Sequence, residues 1–229
     1  MEIINRKSTI IFDLFDTLTD HETNISNLPP TSELLGVSRK EWNDQLLLHS
    51  RDRLVGKIRD PFLIIKKMAN AINPEISDSK IEEVTEKRRI RFEERLIKIP
   101  DENLLVLEKL KSMKKKIVLL SNADVLESLA WNKSPLSKYF DFVFFSCDVG
   151  YAKPDLEIYQ LCLDRISESA SNCVFIGDGG SNELVAAKQS GIETIFISGI
   201  MKTYLPEKVE ERKKQSDFHI EYLHELMEQ

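Results

Sequence analysis

The sequence has few cysteines, no long apolar runs and no excess of positive charge. Its 229 residues include three cysteines, Cys147, Cys162 and Cys173, without a Cys-x-x-Cys spacing, so neither a disulfide scaffold nor a zinc knuckle is expected. Lys and Arg number 32 against 38 Asp and Glu, and the resulting charge of −6 argues against nonspecific nucleic-acid binding. No apolar run approaches the roughly 18 residues of a membrane span, and residues 1–9 do not resemble a signal peptide. We therefore expect a cytoplasmic protein with neither a nucleic-acid nor a membrane partner.

Short apolar runs, rich in β-branched and aromatic residues, alternate with helical patterns along most of the chain. The runs are typical of strands buried on both faces, and they lie at residues 9–14, 116–120, 142–145, 173–176 and 194–197. Helical patterns separate the later strands, at residues 124–131, 154–166 and 182–190. At the C-terminus we expect a charged helix, a short strand or link at 217–220, and a closing helix. The alternation predicts an α/β fold with a doubly wound, Rossmann-like parallel sheet.

Residues 21–98 differ from the rest, because they carry helical patterns and no convincing strand. The expected helices cover residues 38–54, 61–71 and 77–97. The charge run at 86–95 alternates both signs at helical spacing, which predicts a solvated helix face. We therefore predict a Rossmann-like core formed by residues 1–20 and 99–229, with an all-helical cap formed by residues 21–98.

Polar side chains recur where predicted strands end. They are Asp13 and Thr17 at the end of the first strand, Ser121 and Asn122 after the second, Lys153 before the next helix, and Asp178 and Glu183 around a glycine-rich turn after the fourth. Each feature alone is also typical of a turn or a helix cap. The carboxyl ends of neighbouring parallel strands line one crevice, however, and ligands bind there. The ordered set therefore predicts a single site.

This ordered set of motifs resembles the haloacid dehalogenase-like (HAD) hydrolase superfamily over nearly the whole chain. The matching residues are Asp13 and Thr17, Ser121, Lys153-Pro154, and Asp178 with Glu183. The helical insertion resembles the C1-type cap of that superfamily, and the sequence is similar to its dehalogenase/phosphatase-type subgroup. The motifs are specific for the superfamily but do not specify a substrate.

The resemblance implies a Mg²⁺-dependent phosphohydrolase that acts on a small phosphorylated metabolite. Asp13 would be the nucleophile and would form an aspartyl-phosphate. The ion would be held by the Asp13 carboxylate, the Phe15 backbone carbonyl and Asp178, which suits the preference of Mg²⁺ for oxygen ligands. Glu183 would ligate the ion directly, or hold Asp178 or a metal-bound water in place.

The resemblance also implies which residues bind the phosphoryl group. Ser121 and Lys153 would contact the phosphoryl oxygens, and the positive charge of Lys153 would keep Asp13 ionised. Thr17 would support the loop, and Asn122 would donate to the phosphate. Catalysis would then consist mainly of positioning and charge neutralisation.

One position departs from the pattern of the superfamily's phosphatases, most of which have a second Asp two residues after the nucleophile. That Asp serves as general acid and base, and here the position is Phe15. Loss of a general acid typically costs about 10²–10⁴ in rate. Three interpretations stay open: only esters with good leaving groups are cleaved, another group such as Asp16 or a cap residue supplies the proton, or the reaction is not phosphate-ester hydrolysis.

The third interpretation has two forms. Metal-independent 2-haloacid dehalogenases of the superfamily also have an aromatic residue at the position of Phe15, and a tyrosine after the lysine, as Tyr159 is here. They lack the acid that ends the fourth strand, here Asp178, however, and burying Asp178 and Glu183 beside Asp13 without a cation would be costly. The other form is a weakly active or inactive member that serves as a binding or regulatory protein.

The cap offers further candidate substrate contacts. On a helix through residues 38–54, Trp42, Leu46, His49 and Arg53 share a face. In the superfamily the cap largely determines specificity, so we predict that His49 and Arg53 contact the substrate. The alternative is that Trp42 and Leu46 pack while His49 and Arg53 are solvated or salt-bridged. Nothing in the sequence indicates a large obligate interface, and we expect a monomer or a weak homodimer.

Overall fold

A computed structural model describes residues 1–48 and 51–228. Its sheet has six strands in the order β3-β2-β1-β4-β5-β6, and all the neighbouring pairs are parallel. The strands are β1 (Thr9–Phe12), β2 (Lys116–Ser121), β3 (Phe142–Phe145), β4 (Cys173–Gly177), β5 (Glu193–Ile197) and β6 (Phe218–Ile220). The predicted α/β fold with a doubly wound parallel sheet is therefore confirmed, since this strand order is that of a Rossmann fold.

Helices connect the strands and form the insertion after β1. They are α1 (Glu2–Arg6), α2 (Glu22–Ile25), α3 (Thr31–Leu35), α4 (Arg39–Leu48), α5 (Arg51–Leu54), α6 (Pro61–Ile72), α7 (Asp78–Ile97), α8 (Asp101–Ser112), α9 (Val125–Ser128), α10 (Ser146–Val149), α11 (Leu156–Ile166), α12 (Glu183–Gln189), α13 (Gly199–Tyr204) and α14 (Pro206–Gln215). Short 3₁₀ turns lie at Trp131–Lys133, Ser137–Tyr139, Ala170–Asn172, Gly180–Asn182 and Leu223–Met227. Within residues 1–48 and 51–228, none of the helices has the length and apolar character needed to cross a membrane.

The sheet is buried on both faces, which explains the continuous apolar runs of its strands. All four residues of β1 are buried. Because side chains alternate along a strand, Ile10 and Phe12 join the apolar cluster that includes α1 and α8, while Ile11 joins the cluster that includes α11 and α12. Covering by helices on both faces is the usual condition for an all-parallel sheet.

A helical insertion, α2–α8, separates β1 from β2, as in a C1 cap. Helices α3, α4, α6 and α7 bury an apolar cluster of their own that includes Trp42, Ile65 and Val84, whereas α8 packs against the sheet. Hydrogen bonds to side chains fix the helix starts, since Asp60 accepts from the backbone of α6 and Ser77 accepts from that of α7. The division into a core of 1–20 and 99–229 and a cap of 21–98 stays a prediction.

Two expectations for the insertion have different outcomes. Helices α4 and α5 lie within the helix expected over 38–54, and the two residues between them lie outside the described part of the chain, so whether they form one helix stays a prediction. The interpretation of residues 86–95 as a solvated face is wrong for three arginines, since Arg88, Arg91 and Arg95 are buried. The remaining charges of this run, such as those of Glu86 and Arg89, do pair on the outside of α7.

The C-terminal segment follows the expectation up to its last element. The charged helix is α14, and the strand predicted at 217–220 is β6, which pairs with β5. The closing element is a 3₁₀ turn, Leu223–Met227, rather than an α-helix. Leu223 and Leu226 are buried in the same cluster as α8, so this turn completes one face of the core.

Candidate active site

The central strands of the sheet bring two acidic residues together. Asp13 follows β1 and Asp178 follows β4, and these two strands are neighbours at the point where the strand order reverses. The backbone N–H of Asp13 donates to the carbonyl of Ile176, 2.9 Å away, which extends the strand pairing to the site. Ligands bind at such a switch point in doubly wound sheets, so the fold positions both carboxylates at a ligand-binding edge.

Asp13, Asp178 and Glu183 form a carboxylate cluster. One carboxylate oxygen from each residue lies within 4.8 Å of those of the other two. Asp13 and Glu183 are buried and Asp178 is partly buried. Like charges this close repel one another, so the cluster favours a bound cation.

Lys153 provides a positive charge inside this cluster. Its Nζ atom lies 2.6 Å from Oδ1 of Asp13 and 2.5 Å from Oε2 of Glu183, and the residue is only 4% exposed. Burial alone would lower the pKa of Lys153, but the two carboxylates raise it above its ordinary value. Lys153 is therefore a permanent cation in direct contact with two of the three carboxylates.

Two glycines and a tyrosine hold Glu183 in place. A Cβ atom on Gly177 would lie 2.2 Å from Oε1 of Glu183, so this position admits only glycine if the carboxylate is to reach the cluster. The same oxygen accepts a hydrogen bond from the backbone N–H of Gly179 at 3.0 Å. The buried hydroxyl of Tyr159 donates to the Glu183 carbonyl at 2.8 Å. Burial, together with Asp13 and Asp178, raises the pKa of Glu183 to about 8 despite the contact with Lys153.

Asp178 is held by its own turn and by an arginine from α14. Its Oδ1 atom accepts from the backbone N–H of Gly180 at 2.9 Å, and its Oδ2 atom lies 3.0 Å from Nη1 of Arg212. Burial and the charges of Asp13 and Asp16 raise the pKa of Asp178 to about 6. Arg212 was not predicted, because nothing in the sequence links it to a turn 34 residues earlier.

The charge balance of the cluster fits a divalent cation. Within residues 1–48 and 51–228, the cationic side chains that contact the three carboxylates are Lys153 and Arg212. With all three carboxylates ionised, two positive charges oppose three negative ones in a poorly solvated place. An all-oxygen donor set with few protein carboxylates is the arrangement that Mg²⁺ adopts in proteins. The residues present therefore suit the ion that the sequence analysis predicted.

Of the polar residues predicted after β1 and β2, Asn122 contacts the loop that carries Lys153. Asn122 uses both ends of its amide on the backbone of Lys153, with N···O distances of 2.8 Å in each direction. This amide therefore positions the loop that carries Lys153. Ser121 is fully buried at the end of β2. The hydroxyl of Thr17 is buried and has no hydrogen-bond partner in the described part of the chain. Contacts of Ser121, Asn122 and Thr17 with a substrate stay predictions.

The loop after Asp13 packs against α7. The ring of Phe15 lies edge-on to Phe92, with 5.4 Å between ring centroids, and the Arg95 guanidinium stacks 4.8 Å from the Phe15 centroid. Asp16 adopts a left-handed backbone conformation, with φ of 62°, and its carboxylate pairs with Arg95. Burial raises the pKa of Asp16 although Arg95 opposes this shift. The Phe15 side chain can neither donate nor accept a proton.

Of the two predicted cap contacts, the structure describes Arg53. Arg53 is buried, and its Nη1 atom lies 2.7 Å from Asp124 and 3.0 Å from Glu127. Asp124 and Glu127 form a capping box at the start of α9, a pattern that the sequence Asp-x-x-Glu contains. Arg53 is therefore salt-bridged, and its contact with a substrate stays a prediction. His49 lies outside the described residues.

Comparison with known proteins identifies the family of this chain. The sequence profile described as "Hydrolase: haloacid dehalogenase-like hydrolase" matches residues 7–191, which is more than half of the chain. The chain belongs to the haloacid dehalogenase-like hydrolase family. The resemblance given by the motifs is thereby confirmed.

Individual relatives match less of the chain. The Phosphorylated carbohydrates phosphatase of Thermotoga maritima is 37% identical over 91 residues, which cover 39% of this chain and 42% of that protein. The matched segments span less than two thirds of the length of the curated relatives. A crystal structure of a dehalogenase superposes with a TM-score of 0.69 at 21% identity, covering 96% of this chain and 95% of the other.

A second structure was solved with ligands bound. It is a HAD family enzyme from Bacteroides thetaiotaomicron in complex with magnesium and inorganic phosphate. It superposes with a TM-score of 0.63 at 20% identity, covering 83% of this chain and 94% of the other. At these identities the two solved structures establish the fold, including the helical insertion.

Proposed function

We propose that this HAD-like hydrolase is a Mg²⁺-dependent phosphohydrolase that cleaves a small phosphorylated metabolite through an aspartyl-phosphate on Asp13. The observation that carries the proposal is the carboxylate cluster of Asp13, Asp178 and Glu183, with the Lys153 ammonium inside it. A nucleophilic carboxylate, an oxygen-donor site and a fixed cation are what phosphoryl transfer requires.

Asp13, Asp178 and the Phe15 backbone carbonyl would hold the ion, with Glu183 as a further ligand or as a support for Asp178. When bound, Mg²⁺ would neutralise charge on the transferring phosphoryl group. Lys153 would contact the phosphoryl oxygens, assisted by the Ser121 hydroxyl, with Asn122 and Thr17 as further donors. Because Asn122 holds the Lys153 backbone, the ammonium would be positioned before the substrate arrives.

The reaction would proceed in two displacements. A carboxylate oxygen of Asp13 would attack phosphorus while the bond from phosphorus to the leaving oxygen breaks, which leaves an acyl phosphate on Asp13. Water would then attack the same phosphorus, the bond to Asp13 would break, and inorganic phosphate would leave with the Asp13 carboxylate restored. Lys153, 2.6 Å from Oδ1, would stabilise the carboxylate at both stages.

Phe15 would limit which phosphate esters the site cleaves. A departing alkoxide needs a proton, and a phenylalanine side chain has none to give. A phenolate needs little protonation, so esters with good leaving groups would be cleaved most readily. Asp16 remains a candidate donor, although its carboxylate is paired with Arg95.

The relatives support a phosphorylated substrate. One is named as a phosphatase of phosphorylated carbohydrates, and one similar structure contains magnesium and inorganic phosphate. The metal-independent dehalogenase alternative is weakened by Asp178 and Glu183, because without a cation their charges would lie against Asp13.

Phosphate release from para-nitrophenyl phosphate tests the proposal, since its leaving group needs little protonation. Turnover should require Mg²⁺, stop in EDTA, and fall by about 10⁴-fold or more in Asp13→Asn, because the nucleophile is lost. Asp164→Asn is the matched control, as Asp164 is exposed on α11, and it should retain full activity.

Two results would contradict the proposal. Turnover that persists in EDTA would exclude a metal-dependent reaction. Turnover that survives in Asp13→Asn would exclude an aspartyl-phosphate on this residue. Halide release from a 2-haloacid in EDTA would instead establish the dehalogenase.

A further inference from the structure

Arginines line a cavity between the helical insertion and the core. This arginine cavity has a volume of about 340 Å³ and is bordered by Arg39, Arg53, Arg88, Arg91 and Arg95. Asp16, three residues after the proposed nucleophile, borders the same cavity. Because Phe15 packs on Phe92 and Arg95, the cavity adjoins the loop that carries Asp13.

Three of these arginines lie on one face of α7 and are buried. Arg88, Arg91 and Arg95 occur at helical spacing and are 4%, 5% and 6% exposed. A guanidinium offers five N–H donors and no acceptor. The buried Nε atoms of Arg53, Arg88 and Arg91 have no hydrogen-bond partner within the described residues. The cavity wall therefore has more donors than the protein's own acceptors satisfy.

The surrounding carboxylates compensate these charges unequally. Glu127 is shared by Arg53 and Arg88, at 3.0 and 2.6 Å from their Nη atoms. Burial raises the pKa of Glu127, but the charges of these two arginines outweigh burial and bring that pKa below its ordinary value. Arg95 pairs with Asp16. These pairs tie the insertion to the core.

Of the three buried arginines of α7, Arg91 has the most exposed partner carboxylate. Its Nη2 atom lies 2.7 Å from Glu22, whose side chain is 32% exposed, and its Nη1 atom is 3.4 Å from the Thr31 hydroxyl. Burial lowers the pKa of Arg91 although Glu22 opposes this shift, and the neighbouring charges of Arg88 and Arg95 lower it further. An additional negative charge would therefore be most favourable beside Arg91.

We propose that the arginine cavity binds a second anionic group of the substrate, a carboxylate or a phosphate, with Arg91 as its main contact. This rests on the proposed function, since the group to be hydrolysed lies at Asp13. The substrate class is then a phosphate monoester that carries another anion. Planar guanidinium groups bind both carboxylate and phosphate through paired N–H···O bonds.

Matched pairs of esters test this directly. The first pair is 3-phosphoglycerate and glycerol 3-phosphate, which differ by a carboxylate in place of a hydroxymethyl group. The second is fructose 1,6-bisphosphate and fructose 6-phosphate, which differ by one phosphate. In at least one pair, kcat/KM for the ester with the additional anion should be higher by about tenfold or more, as expected for charge-assisted hydrogen bonds. The pair that shows the preference distinguishes carboxylate from phosphate.

Substitutions on α7 test whether Arg91 causes the preference for the ester with the additional anion. In Arg91→Gln the ratio within the preferred pair should fall towards one, and Arg91→Lys should retain part of it because the charge remains. Arg89→Gln is the matched control, because Arg89 lies on the outside of the same helix and pairs with Glu86 and Glu93. It should preserve the wild-type ratio. A preference unchanged in Arg91→Gln would overturn the role of Arg91.

A binding measurement separates this inference from the proposed function. Calorimetric titration of the wild-type chain with each ester in EDTA needs no turnover. If 3-phosphoglycerate or fructose 1,6-bisphosphate binds about tenfold more tightly than its partner, and Arg91→Gln removes the difference, the inference holds even if no ester is hydrolysed. If both members of each pair bind and react equally in the wild type, the cavity is a structural ion-pair network and the inference is wrong.

Discussion

At the carboxyl edge of the sheet, three carboxylates share two cations, whereas in the arginine cavity four buried arginines pair with four carboxylates and keep unpaired N–H donors. The first set consists of Asp13, Asp178 and Glu183 with Lys153 and Arg212. The second consists of Arg53, Arg88, Arg91 and Arg95 with Asp16, Glu22, Asp124 and Glu127. Both sets are largely buried, where an uncompensated charge or an unpaired donor is unfavourable. The excess of carboxylates suits a divalent cation in the first set, and the unpaired Nε donors of Arg53, Arg88 and Arg91 suit an anion in the second.

The largest expected effect is on turnover at the carboxylate cluster, because Phe15 stands where most phosphatases of the family have a proton donor. Wild-type turnover of an alkyl phosphate should be slower than that of para-nitrophenyl phosphate by about 10²–10⁴. Phe15→Asp should narrow this gap by supplying a carboxylic acid at that position. The measurement is kcat for both esters in both proteins.

An alkyl ester cleaved as fast as the aryl ester by the wild type would contradict this role of Phe15. Asp16 would then be the first candidate donor, and Asp16→Asn should create the gap. Asp164→Asn again serves as the control, since its carboxylate is exposed and accepts a hydrogen bond from Gln160 on the same helix.

Lys153→Met should destabilise the fold strongly, since it leaves Asp13 and Glu183 buried without their cation. Removing one partner of a buried ion pair typically costs about 3–5 kcal/mol. Added Mg²⁺ should recover part of the loss, because it replaces the missing positive charge. Urea unfolding with and without Mg²⁺ measures both effects.

Glu127→Gln makes the corresponding change in the arginine cavity, because it removes one partner of a buried ion pair there. It leaves Arg53 and Arg88 without their shared carboxylate, so a loss of about 3–5 kcal/mol is again expected. Here Mg²⁺ should recover nothing. Equal responses of the two variants to Mg²⁺ would show that the ion does not act at the carboxylate cluster.

The acidic site should also make the metal-free protein less stable as the pH rises. The pKa values of Asp178 and Glu183 are raised in the folded state, to about 6 and about 8. A raised pKa contributes stability that is complete below the unfolded value and is lost as the pH rises through the folded one. The unfolding free energy should therefore fall by about 1–2 kcal/mol between pH 6.5 and 8.5.

Urea unfolding at several pH values in EDTA checks this slope. Saturating Mg²⁺ should flatten it, because the bound ion keeps both carboxylates deprotonated without a penalty. Glu183→Gln should reduce the slope in EDTA, even if the substitution changes the absolute stability. A flat profile for the metal-free wild type would mean that folding does not raise the pKa values of Asp178 and Glu183.

The two regions also differ in how far the sequence predicts them. The core site depends on local patterns, since Asp13, Ser121 and Asp178 each follow a recognisable apolar strand, and parallel strands bring their ends together. The strands themselves were predicted to within one or two residues for the same reason. Gly177 is explained by the structure alone, through its close approach to Glu183.

The arginine cavity depends on contacts between distant segments. Arg53 and Arg88 meet Glu127 across 74 and 39 residues, and no local pattern encodes such a meeting. One signal was present, because Arg88, Arg91 and Arg95 share the helix face of the buried Val84. The alternation of charge signs conceals this face, because such alternation is typical of a solvated helix.

Titration of the metal-free chain with Mg²⁺ by calorimetry at pH 7 tests the central claim most directly. One ion should bind per chain, and protons should be released on binding, as shown by different heats in buffers of different ionisation enthalpy. Asp178→Asn should abolish this binding, while Asp164→Asn should leave it unchanged. Binding that is absent in the wild type, or that persists fully in Asp178→Asn, would contradict the assignment of the carboxylate cluster as a magnesium site.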